Sequence, residues 1–120
     1  MEIQSQNFGI EIEMTGITRT RAADVIAEYF GTSSQHSGGG YDAYSVKDGE
    51  RRTWKLVSDG SIDCQKRDGR RKISADRIYS VELVSPICKY SDIDTVQELI
   101  RKLRDAGAFV NSSCGIHYLK

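Results

Sequence analysis

The chain has 120 residues, of which 38% are hydrophobic and 28% are charged, and this composition is typical of a single globular domain. The 17 basic and 17 acidic residues balance, so the overall charge favours neither nucleic acid nor an anionic membrane as a partner. No apolar run approaches the roughly 20 residues that span a bilayer, and no secretory signal is visible, so we expect a cytoplasmic protein without a membrane partner.

The first predicted elements are a strand, a helix and a loop. Residues 6–14 alternate between apolar and polar side chains, which predicts a half-buried strand. From Thr18 the apolar residues recur at helical spacing until Gly31, a residue that commonly ends helices. Residues 32–40, TSSQHSGGG, offer almost nothing that could pack, and their three consecutive glycines predict a mobile loop.

Two Asp-Gly pairs indicate tight turns further along the chain. Asp48-Gly49 lies between the alternating segments YDAYSV and RRTWKLV, which predicts a hairpin whose turn needs a positive φ. The second pair lies in residues 65–72, QKRDGRRK, which we predict to be a charged turn. Residues 77–86 alternate again and predict a strand that Pro86 ends.

The last predicted elements are a second helix and a final strand. Ser91 and Asp94 resemble a capping box at the start of an apolar stripe that ends near Gly107. Residues 108–120 read as the final strand. The whole pattern predicts a single α+β domain over residues 1–120, with a mainly antiparallel, twisted sheet of about five strands and two helices packed on one face.

Glu11 and Glu13 are the first candidates for chemistry, because both project from the same face of the first strand, about 7 Å apart along it. Two carboxylates roughly 5 Å apart repel by about 3 kcal/mol at an effective dielectric near 20, so a pair needs solvation, a shared proton or a cation. Mg²⁺ and Mn²⁺ prefer such oxygen ligands. Glu82 and His117 lie on other predicted strands, where their side chains face in a direction that suits a shared site with Glu11 and Glu13. The simpler interpretation is a solvated sheet face.

Four short motifs, in order, resemble those of the amidoligase family of carboxylate–amine ligases, which have a glutamine-synthetase-like fold. The motifs are Phe8–Glu13, Trp54 followed by Asp59–Ile62, Glu82–Pro86, and Cys114–His117. They run over residues 8 to 117, so the resemblance covers essentially the whole chain. In such ligases ATP phosphorylates a substrate carboxylate, and an amine then attacks the acyl phosphate to form an amide.

The resemblance implies a role for each candidate residue. Glu11, Glu13 and Glu82 look like the ligands of Mg²⁺ or Mn²⁺, and His117 looks like a further ligand or a contact to the phosphates of ATP. Asp59 is expected to bind the amine or to orient the site, although a turn residue before Gly60 is an equal interpretation. The implied partners are ATP, a carboxylate and an amine.

The chain also departs from the family pattern. The late motif usually continues to a second histidine, but Leu119 occupies that position here. The family pattern also ordinarily continues for a comparable length beyond this motif, so the resemblance corresponds to its N-terminal half, and we expect a domain that is incomplete or inactive on its own. A second subunit in a homo-oligomer could complete the site.

The alternative is a non-catalytic binding protein on the same scaffold, such as a phage-type inhibitor of a host defence nuclease of the CRISPR type. It would need no cofactor and would bind a protein or nucleoprotein partner. Basic residues concentrated around the two predicted turns would form its binding patch: Arg51, Arg52, Lys66, Arg67, Arg70, Arg71 and Lys72. The simpler interpretation of these charges is protection of exposed strand edges.

Overall fold

The computed structural model describes residues 7–119, which form a six-stranded antiparallel sheet and a separate two-stranded sheet. The strand order in the large sheet is β2-β3-β4-β7-β1-β8, and β5 pairs with β6 in the second sheet. The strands are β1 (Gly9–Met14), β2 (Ser34–Gly38), β3 (Ala43–Lys47), β4 (Thr53–Val57), β5 (Gln65–Asp68), β6 (Arg71–Ser74), β7 (Val81–Val84) and β8 (Ile116–Leu119).

The described residues also form two α-helices: α1 (Arg19–Phe30) and α2 (Ile93–Asp105). The side chain of Thr18 accepts a hydrogen bond from the backbone N–H of Arg21 and so caps α1, and Gly31 ends the helix with a φ of 70°. Within residues 7–119, neither helix is long and apolar enough to cross a bilayer.

The sheet has one face against the helices and one open face. Alternation along β1 directs Ile10, Ile12 and Met14 into the core, where each is at most 5% exposed, and directs Glu11 and Glu13 to the opposite face. Trp54 and the other inward residues of β4 and β7 are also fully buried. The hydrophobic core therefore fixes which side chains β1 presents on the open face.

The predicted fold class, α+β with a mainly antiparallel sheet and two helices, is confirmed. The large sheet has six strands rather than about five, because Ser34–Gly38 pairs with β3, so the prediction of a mobile loop there was wrong. The contacts that order this strand come from His36. Its ring stacks on the Tyr44 ring with 4.5 Å between the centroids, and its Nε2 lies 2.6 Å from Oδ1 of Asp42.

The two Asp-Gly turns differ from the prediction in different ways. The hairpin of β3 and β4 is confirmed, but the non-glycine residue with positive φ in its turn is Arg51, at 64°, and Gly49 does not adopt a positive φ. Residues 65–72 were predicted to be a turn, and instead they contain β5 and the start of β6, with Gly69 at a φ of 64°. The predicted turn is thus a β-hairpin whose two strands, β5 and β6, are hydrogen-bonded to each other.

Three boundaries also need correction. β7 is shorter than the predicted strand because Arg77–Tyr79 forms a 3-10 turn before it. The capping residue of α2 is Asp92 rather than Ser91, since a 3-10 turn at Tyr90–Asp92 precedes the helix. The final strand begins at Ile116 rather than 108, and the predicted ends at residues 6 and 120 lie outside the described residues.

Gly16, which follows β1, is a position where only glycine fits. It has a φ of 82°, and an added Cβ would overlap the Phe109 ring and lie 2.7 Å from the Gly107 carbonyl oxygen. We expect Gly16→Ala to lower the free energy of unfolding by roughly 2 to 3 kcal/mol, from overpacking together with left-handed backbone strain. The matched control is Gly69→Ala, which has a similar φ but open space around it and should lose about 1 kcal/mol. Equal losses in urea denaturation would contradict the steric argument.

Candidate metal and active site

Five polar side chains meet on the open face around strands β7, β1 and β8. The register places Glu11 opposite His117 and Glu13 opposite Glu82. Directly opposed residues of an antiparallel pair share a face, so the four side chains project to the same side. The fifth, Asp59, arrives from the connection that follows β4.

These side chains form two groups of three that share one member. Ligand atoms of Glu11, Glu82 and His117 lie within 4.8 Å of one another, and so do carboxylate oxygens of Glu13, Asp59 and Glu82. The first group is the more open, with 55% of the His117 side chain exposed and 3.9 Å between its Nδ1 and Oε1 of Glu11. All five residues predicted from the sequence as ligands or catalytic groups are therefore adjacent, and Glu82 lies between the two groups.

Asp59 is held in place by three residues that the sequence analysis missed. The buried Ser80 hydroxyl accepts from the Asp59 N–H at 2.9 Å and donates to the Asp59 carbonyl at 2.7 Å, while Arg77 also donates to that carbonyl. The backbone N–H and the hydroxyl of Ser61 both donate to Oδ1 of Asp59, at 2.8 and 2.6 Å. The Asp59 carboxylate also interacts with the Glu13 carboxylate, which belongs to the same group of three.

Glu13 is fixed in a similar way by a loop residue. The Gly115 N–H donates to its Oε1 at 2.8 Å, and the Glu13 backbone N–H donates to the Gly115 carbonyl at 3.0 Å. Glu13 is only 6% exposed. Such a carboxylate is placed by the fold rather than by solvent, which is the preorganisation that a ligand site requires.

The electrostatics of the cluster are those of crowded, partly buried carboxylates. Burial raises the pKa of Glu82 to about 7, with further increases from Glu11 and then Asp59, while His117 acts in the opposite direction. Burial also raises the pKa of Glu13, and the neighbouring Asp59 adds to that increase. The hydrogen bonds from Ser61 lower the pKa of Asp59, so it stays ionised at neutral pH.

This donor set fits a hard divalent cation. It consists of four carboxylates and one imidazole, and oxygen ligands of this kind suit Mg²⁺ and Mn²⁺. A cation would relieve the repulsion that adds to the effect of burial in raising the pKa of Glu82. The carboxylates are also not neutralised by lysine or arginine, because no such side chain forms an ion pair with them in the described part of the chain.

The basic residues of the predicted binding patch lie on two different hairpins. Arg51 and Arg52 belong to the turn between β3 and β4, and the other five belong to the β5–β6 hairpin. Arg52 is committed to the fold, since its Nε lies 2.9 Å from Asp48 and its Nη1 lies 2.9 Å from Asp92. Arg51 is exposed.

Comparison with known proteins gives one match. The family model described as "Putative amidoligase enzyme" matches residues 4–118, a range that includes all five residues of the cluster. No curated protein matches the chain, and neither does any solved structure.

Proposed function

Because the chain belongs to the amidoligase family, we propose that its open sheet face binds divalent metal and the phosphates of ATP as part of a carboxylate–amine ligase site. The observation that carries this proposal is the position of Glu82 within 4.8 Å of ligand atoms in two groups of three residues. Glu13 is buried, and burial together with the neighbouring carboxylates raises the pKa of Glu82 to about 7. Simple solvation of the sheet face does not account for these two features, which are typical of functional sites.

In this proposal each group of three would hold one ion, and Glu82 would serve both. Mg²⁺ or Mn²⁺, when bound, offsets the charge of the phosphoryl group that ATP transfers to the substrate carboxylate. His117 is the most exposed member, so it is available either as a ligand or as a contact to a phosphate oxygen. Asp59 stays ionised and can act as a ligand or attract a cationic amine.

We further propose that this domain is inactive until another subunit or domain covers the open face. An acyl phosphate survives only where water is excluded, and the His117 side chain is 55% exposed. The five-residue cluster supplies anionic ligands and one imidazole, and Lys55 on the same face lies two strands away from Glu11. Charge stabilisation of transferring phosphate also uses lysine or arginine close to the phosphoryl group. Association into a homo-oligomer is one way to supply both.

Thermal unfolding with Mn²⁺, alone and with ATP, tests the metal site directly. A ligand that binds only the folded state at 100 times its Kd stabilises it by about 2.7 kcal/mol, which raises the melting temperature by several degrees. We expect such a rise for the wild-type protein and a smaller one for Glu11→Gln, which leaves the group of Glu13, Asp59 and Glu82 complete. The matched control is Glu28→Gln, an exposed position on α1, which should respond like the wild type.

Absence of any shift at millimolar Mn²⁺ would contradict the proposal. The alternative of a non-catalytic inhibitor stays a prediction, and it differs by requiring no metal. It expects Glu11→Gln combined with Glu13→Gln to leave partner binding intact.

A further inference from the structure

The β5–β6 hairpin is a basic ribbon that the proposed ligase site does not use. Among the residues that the structure describes, its two four-residue strands pair only with each other. It is attached at its base, where the Thr15 hydroxyl accepts from the Gln65 N–H at 2.9 Å and Gly16 donates to the Gln65 carbonyl. Residues 66–72 are all exposed.

The hairpin carries a cluster of positively charged side chains that form no ion pairs with the other described residues. Within residues 7–119, none of its five cations forms an ion pair, although Asp68 lies opposite Arg71 in the ladder. The cations are Lys66, Arg67, Arg70, Arg71 and Lys72. By contrast, the guanidinium groups of Arg19 and Arg52 are bound to carboxylates. A neutral protein therefore carries a local electropositive surface.

Phe109 orients this ribbon. Arg67 and Lys72 lie opposite each other in the ladder, and both contact the Phe109 ring, at 5.1 and 4.4 Å from its centroid. Strand alternation then puts Lys66 and Arg71 on the other face of the ribbon, with Arg70 in the turn at its tip. The cations at the tip and on that face have no structural partner in the described residues.

We propose that this hairpin binds the backbone phosphates of duplex DNA. A two-stranded ribbon fits a major groove about 12 Å wide, and strands of four residues reach roughly 13 Å. Exposed lysine and arginine side chains make the phosphate contacts that give sequence-independent affinity. A duplex is favoured over a single strand because Phe109, the ring that contacts the hairpin, is covered by Arg67 and Lys72 and is not free to stack on bases.

Fluorescence polarisation with a labelled 20-base-pair DNA duplex tests the proposal, in EDTA so that the metal site plays no part. If about four phosphates are neutralised, the salt slope should be near −3.6, and affinity should fall about 100-fold between 50 and 200 mM salt. The double variant Arg70→Glu with Arg71→Glu should weaken binding at least roughly tenfold.

The matched control is Lys89→Glu with Lys102→Glu, which makes the same change in net charge at exposed positions elsewhere. It should change the affinity by less than about twofold, because distant exposed charges are screened. Equal weakening by both double variants would overturn the proposal, and so would absence of duplex binding at 50 mM salt. Equal or tighter binding of the single strand would overturn the assignment to a duplex. Unchanged melting temperatures of the variants would show that any loss is not due to unfolding.

Discussion

Glu82→Gln should make the metal-free protein more stable above pH 7 and at the same time remove most of its affinity for Mn²⁺. The folded state raises the pKa of Glu82 from 4.5 to about 7, first through burial and then through Glu11 and the other carboxylates. Between these two pH values the folded state holds a proton that the unfolded chain releases, so stability falls as the pH rises. Above pH 7 Glu82 is ionised in the folded state, and the full free-energy cost of burying its charge lowers stability. The neutral glutamine of Glu82→Gln does not carry this cost.

The size of this stabilisation follows from the pKa shift of Glu82 and from the partial exposure of its side chain to solvent. After allowance for solvation of the site, we expect about 1 to 2 kcal/mol at pH 8 and a much smaller gain at pH 5. Urea denaturation in EDTA at both pH values measures it, with Glu28→Gln as the control for loss of one carboxylate. A loss of stability at pH 8 would mean that the carboxylate is stabilised in the fold by contacts other than those described.

The metal affinity should change in the opposite direction. Glu82 belongs to both groups of three residues, whereas Glu11 belongs to one. Loss of Glu82 therefore damages both proposed ion positions, and we expect Mn²⁺ to bind at least about 100-fold more weakly. Glu11→Gln leaves the group of Glu13, Asp59 and Glu82 complete and should cost less. Equal losses for the two variants in titration calorimetry would contradict the arrangement of two positions that share Glu82.

The parts of the site that the sequence predicted are those encoded by local periodicity. Alternation in β1 fixes the facing of Glu11 and Glu13, because the apolar residues between and beside them must enter the core. The same rule orients Glu82 in β7 and His117 in β8. The sequence could not supply the register, since opposing Glu11 with His117 depends on pairing between strands about a hundred residues apart.

The sequence analysis missed contacts between residues far apart in the chain, and it missed a strand that is held by polar contacts instead of hydrophobic packing. Ser80 holds the backbone of Asp59 across 21 positions, and no periodicity reports such a contact. The turn formed by Ser61 beside Asp59 could have been found, because serine two positions after aspartate commonly closes such a turn. β2 was missed because its order comes from polar and stacking contacts of His36 rather than from hydrophobic burial.

Asp48→Ala should cause the largest loss of stability among these changes, about 3 to 5 kcal/mol. Asp48 is 5% exposed and accepts hydrogen bonds from the N–H groups of Glu50 and Arg52, from the Arg52 side chain and from Trp54 Nε1, at 2.9 to 3.0 Å. Its removal would leave the indole N–H of a fully buried tryptophan without its acceptor. The control is Glu50→Ala in the same turn, whose side chain is 76% exposed and which should change stability by less than about 0.5 kcal/mol.

The pH dependence separates this loss from simple cavity formation. Burial pushes the pKa of Asp48 upward, but the hydrogen bonds from Trp54, Arg52 and Glu50 outweigh it, so the net pKa lies below 3.8. The charged form therefore contributes stability that is complete above pH 4 and is lost as the pH falls through the folded-state pKa. The difference in unfolding free energy between wild type and Asp48→Ala should accordingly narrow as the pH falls below 3.8. A difference that stays constant with pH would assign the whole effect to packing and would contradict the role of the buried carboxylate as an ionised acceptor that anchors β4, the strand that leads to Asp59.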